Sequence, residues 1–234
     1  MTTQKKYELL QDDTINHHGR TLYRIKALIS FGLVAAGELG GYIEKESNLD
    51  QYGNAWVYGN AWVYDNAWVC GNARVYGNAW VCGNARVYGN ARVYGNARVY
   101  GNAWVYDNVW VYGNARVYGN ARVYGNAWVY DNAWVCGNAW VYDNVWVYGN
   151  AWVCGNAVIS ERKMIFWASN VGTENGTLTV YNGKDGLLVT RGCFTGTVEE
   201  FLAKSAEVHD EKTKREYQLL IEVARSRILD PATE

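Results

Sequence analysis

The chain has 234 residues, a formal net charge of −1 from 22 basic and 23 acidic side chains, 25 glycines, 12 tryptophans, 19 tyrosines and one proline. That balance excludes a strongly acidic rod that mimics DNA. With no basic run, it also argues against duplex nucleic acid, which demands that many phosphates be neutralised. No apolar stretch follows Met1 and none is long enough to span a membrane, so a cytoplasmic location is expected.

Residues 1–41 read as a hairpin cap. Tyr7–Leu10 and Thr21–Leu28 have strand character, and the polar stretch with Asn16 and Gly19 makes the turn, putting His17 and His18 at its tip rather than in a ligand pair. Gly37 to Ile43 leads into an imperfect unit, Ser47-Asn48-Leu49, so a solenoid is expected from residue 42.

From Tyr52 to Ile159 one hexapeptide, [Tyr/Cys]-[Gly/Asp]-Asn-[Ala/Val]-[Trp/Arg]-Val, repeats without interruption; only the last copy departs at its end, with Val158-Ile159. A fixed short period marks a stacked, quasi-one-dimensional architecture. Gly-Asn every six residues rules out a continuous helix, while Val and the aromatic residues favour strands. With Ala-Trp-Val-Tyr as a four-residue strand, alternation puts Ala and Val on one side and Trp, Arg and Tyr on the other. A coil with a Gly-Asn corner every six residues is narrow, so the small side chains point inward and the large ones outward. Tyr/Cys, Gly/Asp, Ala/Val and Trp/Arg are each one nucleotide transition apart, as expected of a recently expanded array.

The array resembles the hexapeptide-repeat family of left-handed parallel β-helices, in which an aliphatic residue recurs every six positions with a small residue two places before it, as in Ala55 and Val57 or Ala61 and Val63. The resemblance implies three units per triangular coil and about six coils, a length of roughly 29 Å at the usual strand spacing. It also implies a core of stacked Val and Ala, with asparagine ladders at the corners. Some members of that family are acyltransferases or γ-class carbonic anhydrases, whose chemistry rests on histidine. Here His17, His18 and His209 all lie outside the array, so no catalytic or metal-binding residue and no cofactor is expected, and a degenerate acyltransferase is the remaining enzymatic alternative.

Stepping by eighteen residues assigns the surface. One face is expected to carry the column Tyr58, Tyr76, Tyr94, Tyr112, Tyr130 and Tyr148, with Trp62, Trp80, Arg98, Arg116, Trp134 and Trp152 beside it. A second face carries Trp56, Arg74, Arg92, Trp110, Trp128 and Trp146, and the third Trp68, Arg86, Trp104, Arg122, Trp140 and Val158. Such a surface exceeds what monomers ordinarily expose and is made of hot-spot residue types. It points to a binding surface for a protein or small ligand, or to a homo-oligomer, a dimer or trimer. Stacking of single-stranded bases on the Arg–aromatic columns is a further alternative. Four of the five cysteines, Cys70, Cys82, Cys136 and Cys154, occupy the Tyr position; Cys136 and Cys154 fall one coil apart, where a disulfide is conceivable, but the main reading is replaced tyrosines left as free thiols.

Residues 160–234 read as a small α+β domain. Met164–Val171, Gly176–Tyr181 and Leu187–Phe194 are expected strands, Thr197 with Glu200 opens a helix to about Val208, and a second helix from Lys212 carries Tyr217, Leu220, Ile221, Ala224 and Ile228 on one stripe before Asp230-Pro231 ends it. The stretches Gly19–Leu28, Leu39–Glu46 and Gly192–Thr197 resemble hexapeptide-repeat proteins of bacteria and their phages or prophages. That resemblance implies a phage-encoded binder or antagonist of a host component.

Overall fold

A computed structural model describes residues 4–229, so the helix stop expected at Asp230-Pro231 lies outside the described residues. The chain opens with an antiparallel hairpin, β1 (Tyr7–His17) and β2 (Arg20–Ala27), followed by β3 (Leu39–Ile43). Eighteen short strands, β4 to β21, then run from Trp56–Val57 to Val158–Ile159 at six-residue intervals. Strands β22 (Ile165–Val171), β23 (Gly176–Gly183), β24 (Gly186–Arg191) and β25 (Phe194–Thr197) form an antiparallel sheet, packed by helices α1 (Val198–Val208) and α2 (Glu211–Ile228).

The array is a three-faced parallel β-solenoid. Each strand pairs with those eighteen residues before and after it, giving two six-stranded sheets and a third lengthened at its N-terminal edge by β3. Ala55 to Ala157 and Val57 to Ile159 line the interior with essentially no exposure, so the inward and outward assignment holds throughout. The strands are shorter than the four residues expected. Only the Trp/Arg and Val positions are regular, yet coil-to-coil bonding continues beyond them, as where Tyr58 N donates to Val75 O and Asn54 N to Gly71 O, both at 2.8 Å.

Corner geometry rests on the Gly position alone. There the backbone is left-handed, with φ of +68° at Gly83, a conformation in which glycine has no side chain to strain. Asp65, Asp107, Asp131 and Asp143 take the same conformation, φ 58–60°. In three of them the carboxylate accepts the amide one coil on, as Asp107 does from Gly125 N at 3.2 Å. The corner asparagines form the ladders expected of them, for example Asn72 Nδ2 to Asn90 Oδ1 at 3.1 Å and Asn90 Nδ2 to Asn108 Oδ1 at 3.0 Å.

A stack of parallel coils has two unlike ends, and each is closed by groups of the matching kind. Amides of one coil donate to Ala and Val carbonyls of the next, so the first coil presents such carbonyls outward. Tyr42 N takes Ala61 O, Asp50 N takes Val69 O, and the buried Asn48 Nδ2 takes Ala67 O, each at 2.9 Å. Lys6, 2% exposed, donates from Nζ to Ala55 O at 3.0 Å. At the far end the last coil offers amides, and Thr179 Oγ1 accepts from Trp152 N and Tyr181 OH from Cys154 N, both at 3.1 Å.

The C-terminal strand expected over Leu187–Phe194 is two strands. Gly192, at φ +57°, and Cys193 turn the chain so that Arg191 pairs with Phe194. Thr197 caps α1 reciprocally with Glu200, and Asp210 caps α2 through Thr213 N. Tyr217, Ile221, Ala224 and Ile228 are buried against the sheet, with Leu220 packed beside them.

Burial lowers the Lys6 ammonium from 10.5 to about 8, against an opposing pull from Asp50. Between those two values the unfolded chain binds the more protons, so folding stability gains from Lys6 as pH rises from about 8 towards 10.5. The urea midpoint of the intact chain minus that of Lys6→Met is therefore expected to rise across that window, and a difference independent of pH would refute the assignment.

Candidate binding surface

The three outward columns of Trp and Arg fall where the eighteen-residue step puts them. Trp62, Trp80, Arg98, Arg116, Trp134 and Trp152 share one sheet in register. The tyrosine column does not accompany them. Tyr58, Tyr76, Tyr94, Tyr112, Tyr130 and Tyr148 stand on the face of Trp56, Arg74, Arg92, Trp110, Trp128 and Trp146: Tyr58 and Tyr76 share a cleft with Arg74 and Arg92, and Tyr94 and Tyr112 lie edge-on to Trp110 and Trp128. Residues i and i+2 of one strand point the same way, whereas the Gly-Asn corner intervenes between Tyr58 and Trp62. The expected twelve-residue face is thus two faces divided by a corner.

Neither face is fully open. The His17 ring lies 4.8 Å from Trp62, 5.3 Å from Tyr64 and 5.3 Å from Trp80, so the hairpin tip folds over the first two tryptophans of the candidate column. Burial, His18 and Arg20 hold His17 below its ordinary value. Trp56 is wholly buried beneath Tyr7 and Phe31. At the other end Trp167 packs on Tyr148 at 4.4 Å. The third face is the barest, with Trp68 40% and Trp140 43% exposed.

Between the caps the rings form ladders. Tyr76, Tyr94, Tyr112 and Tyr130 stack at 4.8–4.9 Å within 5° of parallel, and Trp110 stacks on Trp128 at 5.0 Å. This crowding desolvates the phenols, and burial with the adjacent Tyr76 and Tyr112 pushes Tyr94 up to about 12. Guanidinium groups lie over indoles, Arg98 on Trp80 at 4.3 Å, Arg116 on Trp134 at 4.7 Å, and Arg122 between Trp104 and Trp140 at 4.9 and 5.3 Å.

All six arginines of the array fall within residues 74–122, and residues 66–130 hold them against the single acid Asp107, a net charge of +5. Among the described residues none of the six forms an ion pair. Reading the array as one unit of +2 hides this belt, because Asp65, Asp131 and Asp143 sit nearer its ends. The hairpin tip, Phe31 and Trp167 carry no repeat signal, so sequence reasoning had no means of seating them on the faces.

The reading of all array cysteines as free thiols is corrected at one pair. Cys136 and Cys154, in register one coil apart with Cα atoms 4.6 Å from each other, form a disulfide. Trp152 leaves the parallel stack, meeting Trp134 at 68°, and its Nε1 donates to both sulfurs. Cys70 and Cys82 remain thiols, and burial raises the first to about 11. His209 lies apart, in a cavity of about 190 Å³ in the C-terminal region, with its Nδ1 3.1 Å from Ser205 Oγ. Among the described residues no helix is long and apolar enough to cross a membrane.

Overlapping windows of the array match a family model described as YdcK β-solenoid repeat, at residues 55–71, 67–83, 79–95, 85–99, 91–107, 97–113, 109–123, 115–131 and 121–137. The array is similar to that repeat. Every window begins at the inward Ala or Val position, so the match shares the register of the core and extends over residues 55–137. No curated protein matches the chain.

A cross-link closing an eighteen-residue separation stabilises by about 3 kcal/mol in the chain-entropy account. Peptide mapping of the purified protein without reductant is expected to recover the Cys136–Cys154 peptide, and reductant to lower the denaturation midpoint. Full alkylation of all five cysteines before reduction would rule the bridge out.

Proposed function

We propose that the chain is a non-catalytic binding protein whose solenoid presents its arginine belt, set among tryptophan and tyrosine ladders, to an acidic protein surface. The observation that carries this reading is the net charge of +5 over residues 66–130, unmatched by any ion pair of those arginines among the described residues. Guanidinium groups braced on indoles lose little further freedom on binding, which suits them to interface anchors. Single-stranded bases fit less well: successive rings at 4.9–5.0 Å already cover one another's faces, so a base cannot enter between them. The resemblance of both termini to phage and prophage proteins extends the reading to a host cytoplasmic component as partner, antagonised by capture.

Soluble poly-L-glutamate is expected to bind at low salt with an affinity that falls steeply as ionic strength rises. Arg98→Glu with Arg116→Glu should weaken it by about tenfold or more. Equal binding of poly-L-lysine, or no binding of polyglutamate, would overturn the reading.

A second reading, self-association, is favoured by the third face, which neither terminal region covers. Trp68 and Trp140 are its most exposed rings, at 40% and 43%. Light scattering across a range of concentrations is expected to give a discrete dimer or trimer that Trp140→Arg shifts towards monomer. A monomer at every concentration would end this reading.

A further inference from the structure

The loop between β2 and β3 hangs over one stretch of the solenoid. Phe31 and Val34 pair across its turn, and Phe31 is anchored on Trp56 at 5.3 Å beneath Lys6 Nζ. Leu33 at the tip is 75% exposed. Gly32 sits so close to the first asparagine of a corner ladder that an added Cβ would lie 3.2 Å from the Asn54 side chain.

Two adjoining hollows open beneath Leu33, and both are lined by Arg74 and Arg92. One, of about 330 Å³, is walled by Tyr58 and Tyr76; the other, of about 510 Å³, by Asn54, Asn72, Asn90 and Asn108. Arg74 and Arg92 stand directly opposite each other in register, an arrangement that costs stability when both carry the same charge. Arg92 lies over Trp110 at 4.8 Å, whereas the Arg74 side chain makes no hydrogen bond, ion pair or ring contact among the described residues. Two acids approach the cleft: Glu38, beside Tyr58, whose carboxylate already accepts from Ala35 N at 3.0 Å, and Asp107, next to Asn108, whose carboxylate accepts from Gly125 N at 3.2 Å.

The walls are complementary in kind. Along the ladder Asn54–Asn72–Asn90–Asn108 each of the first three amides spends one N–H on its neighbour and keeps a second, so this side is a row of spare donors. On the other side the tyrosine ladder is interrupted where the hollow opens: Tyr58 meets Tyr76 edge-on at 87° and 6.4 Å, while Tyr76 and Tyr94 stack at 1° and 4.8 Å.

We infer that this cleft binds a phosphate monoester carrying a flat apolar group. A phosphate of charge about −1.5 to −2 balances two adjacent guanidinium groups, and its oxygens accept from them and from the asparagine amides. The organic group rests against Tyr58, Tyr76 and Leu33. The inference rests on the binding reading only in sharing two arginines of the belt.

Calorimetric titration of the intact chain with phenyl phosphate tests it. We expect one site, tighter for phenyl phosphate than for inorganic phosphate, and weakened about tenfold or more by Arg74→Gln with Arg92→Gln. Arg98→Gln with Arg116→Gln removes equal charge from another face and should leave it unchanged, with thermal melts confirming that both variants fold. Leu33→Ala should weaken phenyl phosphate and spare inorganic phosphate. No binding of phenyl phosphate, equal loss in both arginine variants, or equal affinity for inorganic phosphate would each overturn the assignment. Phenyl phosphate bound without polyglutamate leaves the cleft standing and the acidic-partner reading fallen; the reverse pattern does the opposite.

Discussion

Everything in this molecule depends on the in-register hydrogen bonding of one coil to the next. Because each amide at a Trp/Arg or Tyr/Cys position donates to the coil eighteen residues on, any side chain repeats itself directly above its own kind. A Val or Ala core, an asparagine ladder and a tyrosine ladder are consequences of one register rather than independent designs. The interior tolerates this because Ala and Val fill a narrow prism without polar atoms. Stacked rings add about 0.5–1.5 kcal/mol per pair beyond the area they bury.

The same register makes charge local. Substituting Arg for Trp in one unit places a guanidinium between two neighbours of fixed identity. Where the neighbour is Trp, as at Trp104 and Arg122, a cation rests on a ring; where it is another Arg, as at Arg74 and Arg92, two like charges meet with no acid between them. The backbone spacing is set by the stack, so such a pair is relieved only by side chains leaning apart, as Arg98 does onto Trp80 and Arg116 onto Trp134. Unpaired positive charge on this lattice therefore favours an anion, and where the rings stack without interruption the same geometry leaves no space between them for a ligand's ring.

The ends follow a different logic. A coil stack would expose carbonyls at one end and amides at the other, both capable of templating further strands. Lys6, Asn48 and the amides of Tyr42 and Asp50 answer the first, and the hydroxyls of Thr179 and Tyr181 the second. In covering those ends the terminal regions also spill over the faces: His17 rests on Trp62 and Trp80, Leu33 overhangs Arg74, and Trp167 closes the column at Tyr148. The caps thereby decide which part of a repetitive surface is available.

By itself the sequence determined the solenoid, the inward Ala and Val, the outward Trp, Arg and Tyr, the membership of each Trp/Arg column and the capped helix at Thr197. All of these follow from local periodicity or from residue chemistry within a few positions. Tertiary structure alone decided that Tyr58 belongs with Trp56 and not with Trp62, because that depends on where the corner falls relative to the strand. It also decided the split of Leu187–Phe194 at Gly192, the pairing of Cys136 with Cys154, and the seating of the hairpin and the Leu33 loop on particular rungs. Those are contacts between a repetitive element and unique segments, and a six-residue period holds no information about which of its equivalent rungs another part of the chain will meet.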